Sequence, residues 1–386
     1  MSTPLRIMIC AGEPSGDVLG AQLIAALRKV ADRPLELFGL GGPLMEKEGV
    51  TSLFPISDLA VMGFVDVLPK IPVLLGRIRE TAEFAASTRP DVVVLVDAPS
   101  FSHRVATRIK KLAPDISVVI YVAPQLWAWR PGRAKHMSDY ADHVLALLPF
   151  EPAFFEGYGV HTTHVGHPVV ERLTEAGQGA AFRARHAIAP GAPVLAVLLG
   201  SRRKEVTRLA PVFGEAVAAL AKTHPGLALV LPTIPQVEAL VKDAVKDWPA
   251  HAVVTADAGE KFAAFEAADV ALAASGTVSL ELALAGTPTV IAYKVDALSA
   301  AIARRLITVK YANLINLILD REALPELIQE NCTALKIVAA LDHLLTDENA
   351  KAAQRAAFKT ALHDLGQGEE SPSVRAARAV LSSVHK

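Results

Sequence analysis

Short apolar runs recur along this chain, and each is followed by a stretch of helical periodicity. In the first half they fall at Leu5–Cys10, Leu35–Leu40, Val92–Val96, Val118–Val122 and Val144–Leu148. In the second half they fall at Val194–Leu199, Leu227–Leu231, Val253–Thr255, Val270–Ala273 and Thr289–Ala292. Runs so short, rich in Val, Ile and Leu and without alternation, suit strands buried on both faces. Helices between them act as crossovers and make the sheets parallel. Two such series predict an α/β chain of two doubly wound domains. Ligands of such sheets sit beyond the C-terminal strand ends, so a cleft between the domains is the expected reaction site.

Composition agrees with that reading and narrows the function. The 386 residues are 52% hydrophobic, enough for two cores. Lys and Arg number 39 against 40 Asp and Glu, so no basic surface for nucleic acid is expected. Cys10 and Cys332 are far apart, which excludes a disulfide framework or a Cys-rich metal site and fits a reducing cytoplasm. The apolar start is too short for a signal peptide, and Glu13 and Asp17 follow at once. No uncharged apolar run reaches the ~18 residues of a spanning helix. The mean hydropathy of +0.34 is high; a large core of Ala, Val and Leu or a surface that touches lipid would account for it.

The domain boundary is expected after Gly166-His167-Pro168, giving a first domain over 1–170 and a second over 171–369. Gly177–Gly191 reads as a surface helix and turn. Gly366, Gly368 and Pro372 break the tail before a last helix near Ser373–Val384.

Five segments at strand ends carry the chemistry. Ala11–Asp17 follows the first strand; Gly12 and Gly16 permit close backbone approach, Ser15 adds a hydroxyl, and Glu13 and Asp17 place two carboxylates in one turn. It lacks the G-x-G-x-x-G spacing of dinucleotide sites. Asp97, after Val92–Val96, either orients a sugar hydroxyl or removes its proton, or else caps the next helix. In Val122–Arg133, Trp127 and Trp129 suit sugar faces or acyl chains, and Arg130 and Arg133 suit phosphate. Leu199-Gly200-Ser201-Arg202-Arg203-Lys204-Glu205 sets cations at a helix start, against the dipole, and a bound phosphate would resolve that conflict. Ser275, Gly276 and Thr277 suit a diphosphate, with Glu281 one turn on for ribose hydroxyls. A sixth segment, Leu59–Leu75, is apolar and broken by Gly63, Pro69 and Pro72, with Arg77 and Arg79 following; on its residues alone it is either a buried helix or a lipid contact.

Taken together, the segments resemble the lipid-A-disaccharide synthase family. Its A-G-E-x-S-G-D pattern stands at Ala11–Asp17, and M-G-x-x-E/D-V-L at Met62–Leu68. Its S/A-P-x-x-W-A-W-R pattern stands at Ala123–Arg130, L-P-F-E at Leu148–Glu151 and G-H-P at Gly166–Pro168. Gly200-Ser201-Arg202, Ala274–Glu281 and Asn313–Asn316 follow in order, so the match spans about residues 5 to 335.

The resemblance implies two Rossmann-like domains facing a cleft, of the GT-B type, with no metal and no cofactor. It implies an inverting transfer from UDP-2,3-diacylglucosamine to 2,3-diacylglucosamine 1-phosphate, giving the β-1,6 disaccharide 1-phosphate and UDP. The expected setting is the inner face of the cytoplasmic membrane of a Gram-negative bacterium, with the protein peripheral to it. Leu59–Leu75 then becomes a lipid contact through Met62, Phe64, Val65, Leu68, Val73 and Leu74. Arg202 and Glu281 become donor ligands, Asn316 a site residue, and the last helix, about 370–386, packs back on the first domain.

One position departs from the family. Its D-x-P-D-F motif, whose second Asp is the favoured base, reads Asp97-Ala98-Pro99-Ser100-Phe101 here. A neutral serine is a poor proton acceptor. Three explanations follow: Asp97, Glu13 or Asp17 replaces it; the base contributes little beside a good leaving group, general-base catalysis being worth about 10²–10⁴-fold; or the chain is a weakened enzyme. The alternatives in function are a UDP-N-acetylglucosamine 2-epimerase, another transferase on this fold, or a non-catalytic nucleotide-sugar or lipid-binding protein.

Overall fold

A computed structural model describes residues 3–59, 67–172 and 177–384, with side chains not described at 67–70. The chain forms two compact units, one of residues 1–171 and 365–386 and one of residues 172–364.

In the first unit, β1 (Leu5–Ala11), β2 (Leu35–Leu40), β3 (Val92–Val96), β4 (Ser117–Tyr121), β5 (His143–Ala146) and β6 (Thr162–His164) form one sheet in the order β2-β1-β3-β4-β5-β6. Every pair is parallel. The helices are α1 (Pro14–Val30), α2 (Pro43–Lys47), α3 (Val67–Thr88), α4 (Pro99–Leu112), α5 (Leu126–Trp129) and α6 (Glu151–Glu156). Residues 92–96 are all buried, as crossover helices on both faces require. β1 switches direction of winding: β2 lies on one side of it and β3 on the other.

In the second unit, β7 (Val194–Leu198), β8 (Ala228–Pro232), β9 (His251–Thr255), β10 (Val270–Ala273), β11 (Thr289–Tyr293) and β12 (Glu326–Ile328) run in the order β12-β11-β10-β7-β8-β9. All pairs are again parallel. Counted within the unit, this is the 3-2-1-4-5-6 order of the Rossmann sheet, with its switch point between β7 and β10. The helices are α7 (Gln178–Arg185), α8 (Arg203–Thr223), α9 (Pro235–Val245), α10 (Lys261–Ala267), α11 (Val278–Leu284), α12 (Ala297–Leu306), α13 (Leu314–Leu319), α14 (Ala334–Thr346) and α15 (Glu348–Asp364). Leu209, Phe213, Val217 and Leu220 of α8 pack with Leu341 and Leu344 of α14 against Leu195, Val197, Leu229 and Leu272 of the sheet.

The last helix, α16 (Pro372–Ser382), belongs to the first unit. Its Ala376, Ala377 and Val380 share a core with Leu23, Ile24 and Leu27 of α1. The small residues on α16 let it lie close to its neighbour, and Arg375 donates to the His164 carbonyl at 2.8 Å.

The two doubly wound parallel sheets match the expectation from the apolar runs. Two edge strands went unread. β6 and β12 have three residues each, and β6 is Thr-Thr-His, with no apolar run to mark it. Three strands stop earlier than their apolar runs: β5 ends at Ala146, β7 at Leu198, and β4 at Tyr121, where Val122 turns the chain with φ +82°.

Candidate functional site

Both switch points are flanked by segments singled out above. In the first unit β1 ends beside β3, with Ala11 opposite Val96. The next residues are Gly12 on one side and Asp97-Ala98 on the other. Asp97 and Ala98 both have positive φ, +53° and +47°. Such a pair is unusual away from glycine and costs on the order of 1–2 kcal/mol per residue. It folds the chain sharply so that Asp97 stands at the strand end. A Cβ on Gly12 would lie 2.6 Å from the Ala98 Cβ, so glycine is required there. Gly16 has the same role for α1, where a Cβ would meet the Val96 carbonyl at 3.2 Å.

Across this junction Ser15 Oγ donates to Asp97 Oδ2 at 3.3 Å. Glu13 is the N-cap residue of α1. Burial and then the negative charge of Asp97 push its pKa above the ordinary glutamate value. Glu13, Ser15 and Asp97 therefore form one polar group at the switch point. Ser100, in the first turn of α4, is exposed.

Asp17 is placed differently. It is buried, and its carboxylate accepts from the backbone N–H groups of Gly42 (2.8 Å), Leu44 (3.0 Å) and Met45 (3.0 Å). It neutralises the start of α2 and braces that helix on α1. With these donors on both oxygens, Asp17 serves the fold.

Trp127 and Trp129 also part company. Trp127 is buried; its indole N–H donates to Glu151 Oε1 at 3.0 Å and its ring meets Phe150 edge-on at 4.9 Å. Glu151 further accepts from Leu147 and Leu148, and burial pushes its pKa up to about 7. Trp127 thus braces the turn after β5. Trp129 is exposed, with the Arg130 guanidinium 4.2 Å from its ring centre. Val73 and Leu75 on α3 are exposed and Leu74 half-buried, whereas Met62, Phe64, Val65 and the side chain of Leu68 lie outside the described residues.

In the second unit the switch point lies between Leu198 and Ala273, the paired ends of β7 and β10. Gly200-Ser201-Arg202 leaves β7, and Ser275-Gly276-Thr277 leaves β10. Gly200 has φ +97°, and a Cβ there would collide with Glu205. The conflict of cations with the helix dipole is met inside the chain. Glu205 Oε2 accepts from the N–H groups of Ser201 (2.9 Å) and Arg202 (3.1 Å), and Oε1 from the Arg202 guanidinium (3.1 Å). A carboxylate therefore holds the N–H groups expected to meet phosphate, and the basic cluster by itself did not require an outside anion. Arg202 remains 79% exposed at its side chain, so it can reach a ligand while its backbone stays capped.

At β10, Ser275 Oγ donates to the Ala312 carbonyl at 3.0 Å, Gly276 has open space around it, and Thr277 is exposed. Glu281 is buried between two cations: it pairs with Arg172 and, at 2.5 Å, with Lys261. Asn316 is buried with its amide fully used. Its nitrogen donates to the Leu324 carbonyl and Glu326 Oε1, both at 2.8 Å, and its oxygen accepts from Ala323 (2.8 Å) and Leu324 (2.9 Å). It ties the turn before β12 and has no capacity left for a ligand.

Sequence reasoning gave Glu205 no role and missed Arg172 and Lys261. Glu205 was visible as an acidic residue three places after the helix start, the spacing of a capping box. Arg172 and Lys261 reach Glu281 from 109 and 20 residues away, and nothing local marks them. Among the described residues no group of His, Cys, Asp and Glu is placed to hold a metal ion, and no helix is long and apolar enough to cross a membrane.

The comparisons with known proteins agree with one another. The family model for lipid-A-disaccharide synthetase matches residues 7–380. The lipid-A-disaccharide synthase of Rhodospirillum centenum is 49% identical over 383 residues, 99% of this chain and 96% of that protein. Among solved structures, the glycosyltransferase of kitacinnamycin superposes with a TM-score of 0.63 at 17% identity, covering 100% of both chains. The UDP-GlcNAc 2-epimerase of Neisseria meningitidis superposes at 0.62 with 12% identity, over 98% of this chain and 99% of that one. At such low identity these two establish the shared fold.

Proposed function

The chain belongs to the lipid-A-disaccharide synthase family, a glycosyltransferase of lipid A biosynthesis, and from that premise we propose how its two switch points divide the reaction. The donor is UDP-2,3-diacylglucosamine and the acceptor 2,3-diacylglucosamine 1-phosphate. The products are the β-1,6-linked disaccharide 1-phosphate and UDP, with inversion at the anomeric carbon. The protein works peripherally at the cytoplasmic face of the inner membrane, with α3 and the segment before it against lipid.

UDP occupies the second unit. Its diphosphate lies by Gly200–Arg202 and Ser275–Thr277, and its ribose by Glu281. Arg202 supports this reading because its guanidinium projects into solvent beside the switch point. There it balances the charge that grows on the leaving diphosphate. Glu281, paired with Arg172 and Lys261, presents its carboxylate to the two ribose hydroxyls.

The acceptor sugar occupies the first unit. Its 6-hydroxyl loses a proton to Glu13 as the bond to the anomeric carbon forms. One observation carries this choice: Glu13 stands beside Asp97 in a partly buried turn that raises its pKa, which strengthens it as a base. Asp97, held by Ser15, orients the hydroxyl.

The test is UDP release from purified protein with both acylated substrates in detergent, the lipid product being identified by mass. Release that needs both lipids is expected. Glu13→Gln should lower kcat by about 10²-fold or more. Activity intact in Glu13→Gln but lost in Asp97→Asn would move the base to Asp97. No activity in the wild type, with activity gained in Ser100→Asp, would mean that this chain lacks a working base.

A further inference from the structure

α12 follows β11 at the C-terminal edge of the second sheet, and only Ala300 in it is buried. Leu298 is 72% exposed, Ile302 51%, Leu306 40% and Ile307, just past the helix, 51%. Four of the thirteen large apolar side chains exposed among the described residues thus fall within ten positions, which is a patch and not scatter. Residues 298, 302 and 306 are spaced by four and share one face of the helix. At 100° per residue Arg305 stands beside Leu298 on that same face. From 294 to 310 the chain carries Lys294, Arg304, Arg305 and Lys310 against Asp296; Arg304 pairs with Glu330, which leaves Lys294, Arg305 and Lys310 as the cations of the patch.

The patch adjoins the proposed donor site within its own unit. Tyr293, which ends β11, donates its hydroxyl to Glu205 Oε1 at 3.3 Å. Asp296 caps α12 by accepting from Ser299 N at 2.9 Å, and pairs with Arg208 of α8 at 3.6 Å. The start of α12 is therefore tied to the helix whose N-cap residue is Arg202.

We propose that α12 is a lipid-docking helix, separate from the 59–75 segment, that lies on an anionic lipid surface. Leu298, Ile302, Leu306 and Ile307 enter the acyl region, and Arg305 and Lys310 meet headgroup phosphates. A short amphipathic helix with a leucine-isoleucine face and flanking cations has the chemistry of an interfacial anchor. The cationic excess selects an anionic surface over a neutral one. Docking here holds the mouth of the second unit at the lipid plane, where an acylated donor would be found. The inference rests on the donor assignment only for that last consequence.

The test uses the full chain without substrate, sedimented with vesicles of phosphatidylglycerol and phosphatidylethanolamine or of phosphatidylcholine alone. The variants are the double substitution Leu298→Ser with Ile302→Ser, and Arg305→Gln. The double variant should bind anionic vesicles at least about tenfold more weakly, since two side chains no longer leave water. Arg305→Gln should weaken binding to anionic vesicles and leave neutral vesicles unchanged. Unchanged melting temperature and UDP affinity in both variants would show that fold and donor site persist. Equal binding of wild type and double variant, or no binding of wild type to anionic vesicles, would overturn the proposal. A fall in solution mass of the double variant, with vesicle binding unchanged, would overturn it in favour of contact between copies of the chain. Because no substrate is present, failure here leaves the reaction assignment standing.

Discussion

Ser15 and Asp97, 82 positions apart, meet through a 3.3 Å hydrogen bond where β1 and β3 end side by side. The bond crosses the switch point of the first sheet and brings Glu13 within reach of the Asp97 charge, which with burial raises its pKa.

The acid limb of kcat/KM should report that coupling. If Glu13 is the base, activity needs it ionised, so the limb should lie above the ordinary glutamate value. Asp97→Asn removes the neighbouring negative charge, makes ionisation of Glu13 easier and should move the limb to lower pH. Glu13→Gln should abolish it. A limb that stays in place in Asp97→Asn would break the link between the two carboxylates.

Gly12 and Ala98 should behave as a coupled pair. Gly12→Ala sets two Cβ atoms 2.6 Å apart, in a turn already held at positive φ. The expected cost is about 1–3 kcal/mol, with activity reduced because the Asp97 turn shifts. Ala98→Gly removes both the clash and the left-handed strain, so the double variant should recover most of the loss. Additive losses in urea unfolding would refute the coupling.

Glu205 should carry opposing effects on stability and on binding. Glu205→Ala frees the Ser201 and Arg202 N–H groups and deletes the cap of α8, at a cost of about 1 kcal/mol. It also removes an anion that competes with phosphate for those groups. Calorimetry should find tighter UDP binding together with a lower melting temperature. Weaker binding would mean that Glu205 shapes the loop for the nucleotide more than it competes with it.

Asn316 should prove to be a residue of the fold. Asn316→Ala takes the partner from the Leu324 carbonyl and from the Ala323 and Leu324 N–H groups, at about 1–3 kcal/mol for each buried group left unpaired. Urea unfolding should show a loss of several kcal/mol. Unchanged stability with UDP binding lost would return Asn316 to the ligand site.

The runs at 92–96 and 194–199 already spelled parallel, doubly buried strands, because a strand covered by helices on both faces must be apolar throughout. The loops after them were legible as well, since Gly12, Gly16 and Gly200 mark places where the backbone must pass closely or turn the other way. Chain order and strand type thus follow from local composition and period. What each polar side chain does was decided elsewhere. Asp17 and Glu13 stand four residues apart in one motif, yet Asp17 is spent on the start of α2 while Glu13 is left beside Asp97. Trp127 and Trp129 differ in the same way, one bracing Glu151 and the other open to solvent. A carboxylate's role depends on which backbone donors and charges reach it, and those at Asp17 and Glu281 arrive from residues 20 to 109 positions away. Only the packing of the sheets and helices brings them together, so sequence alone determined the scaffold and its candidate loops, and tertiary structure decided which of their side chains remain free for chemistry.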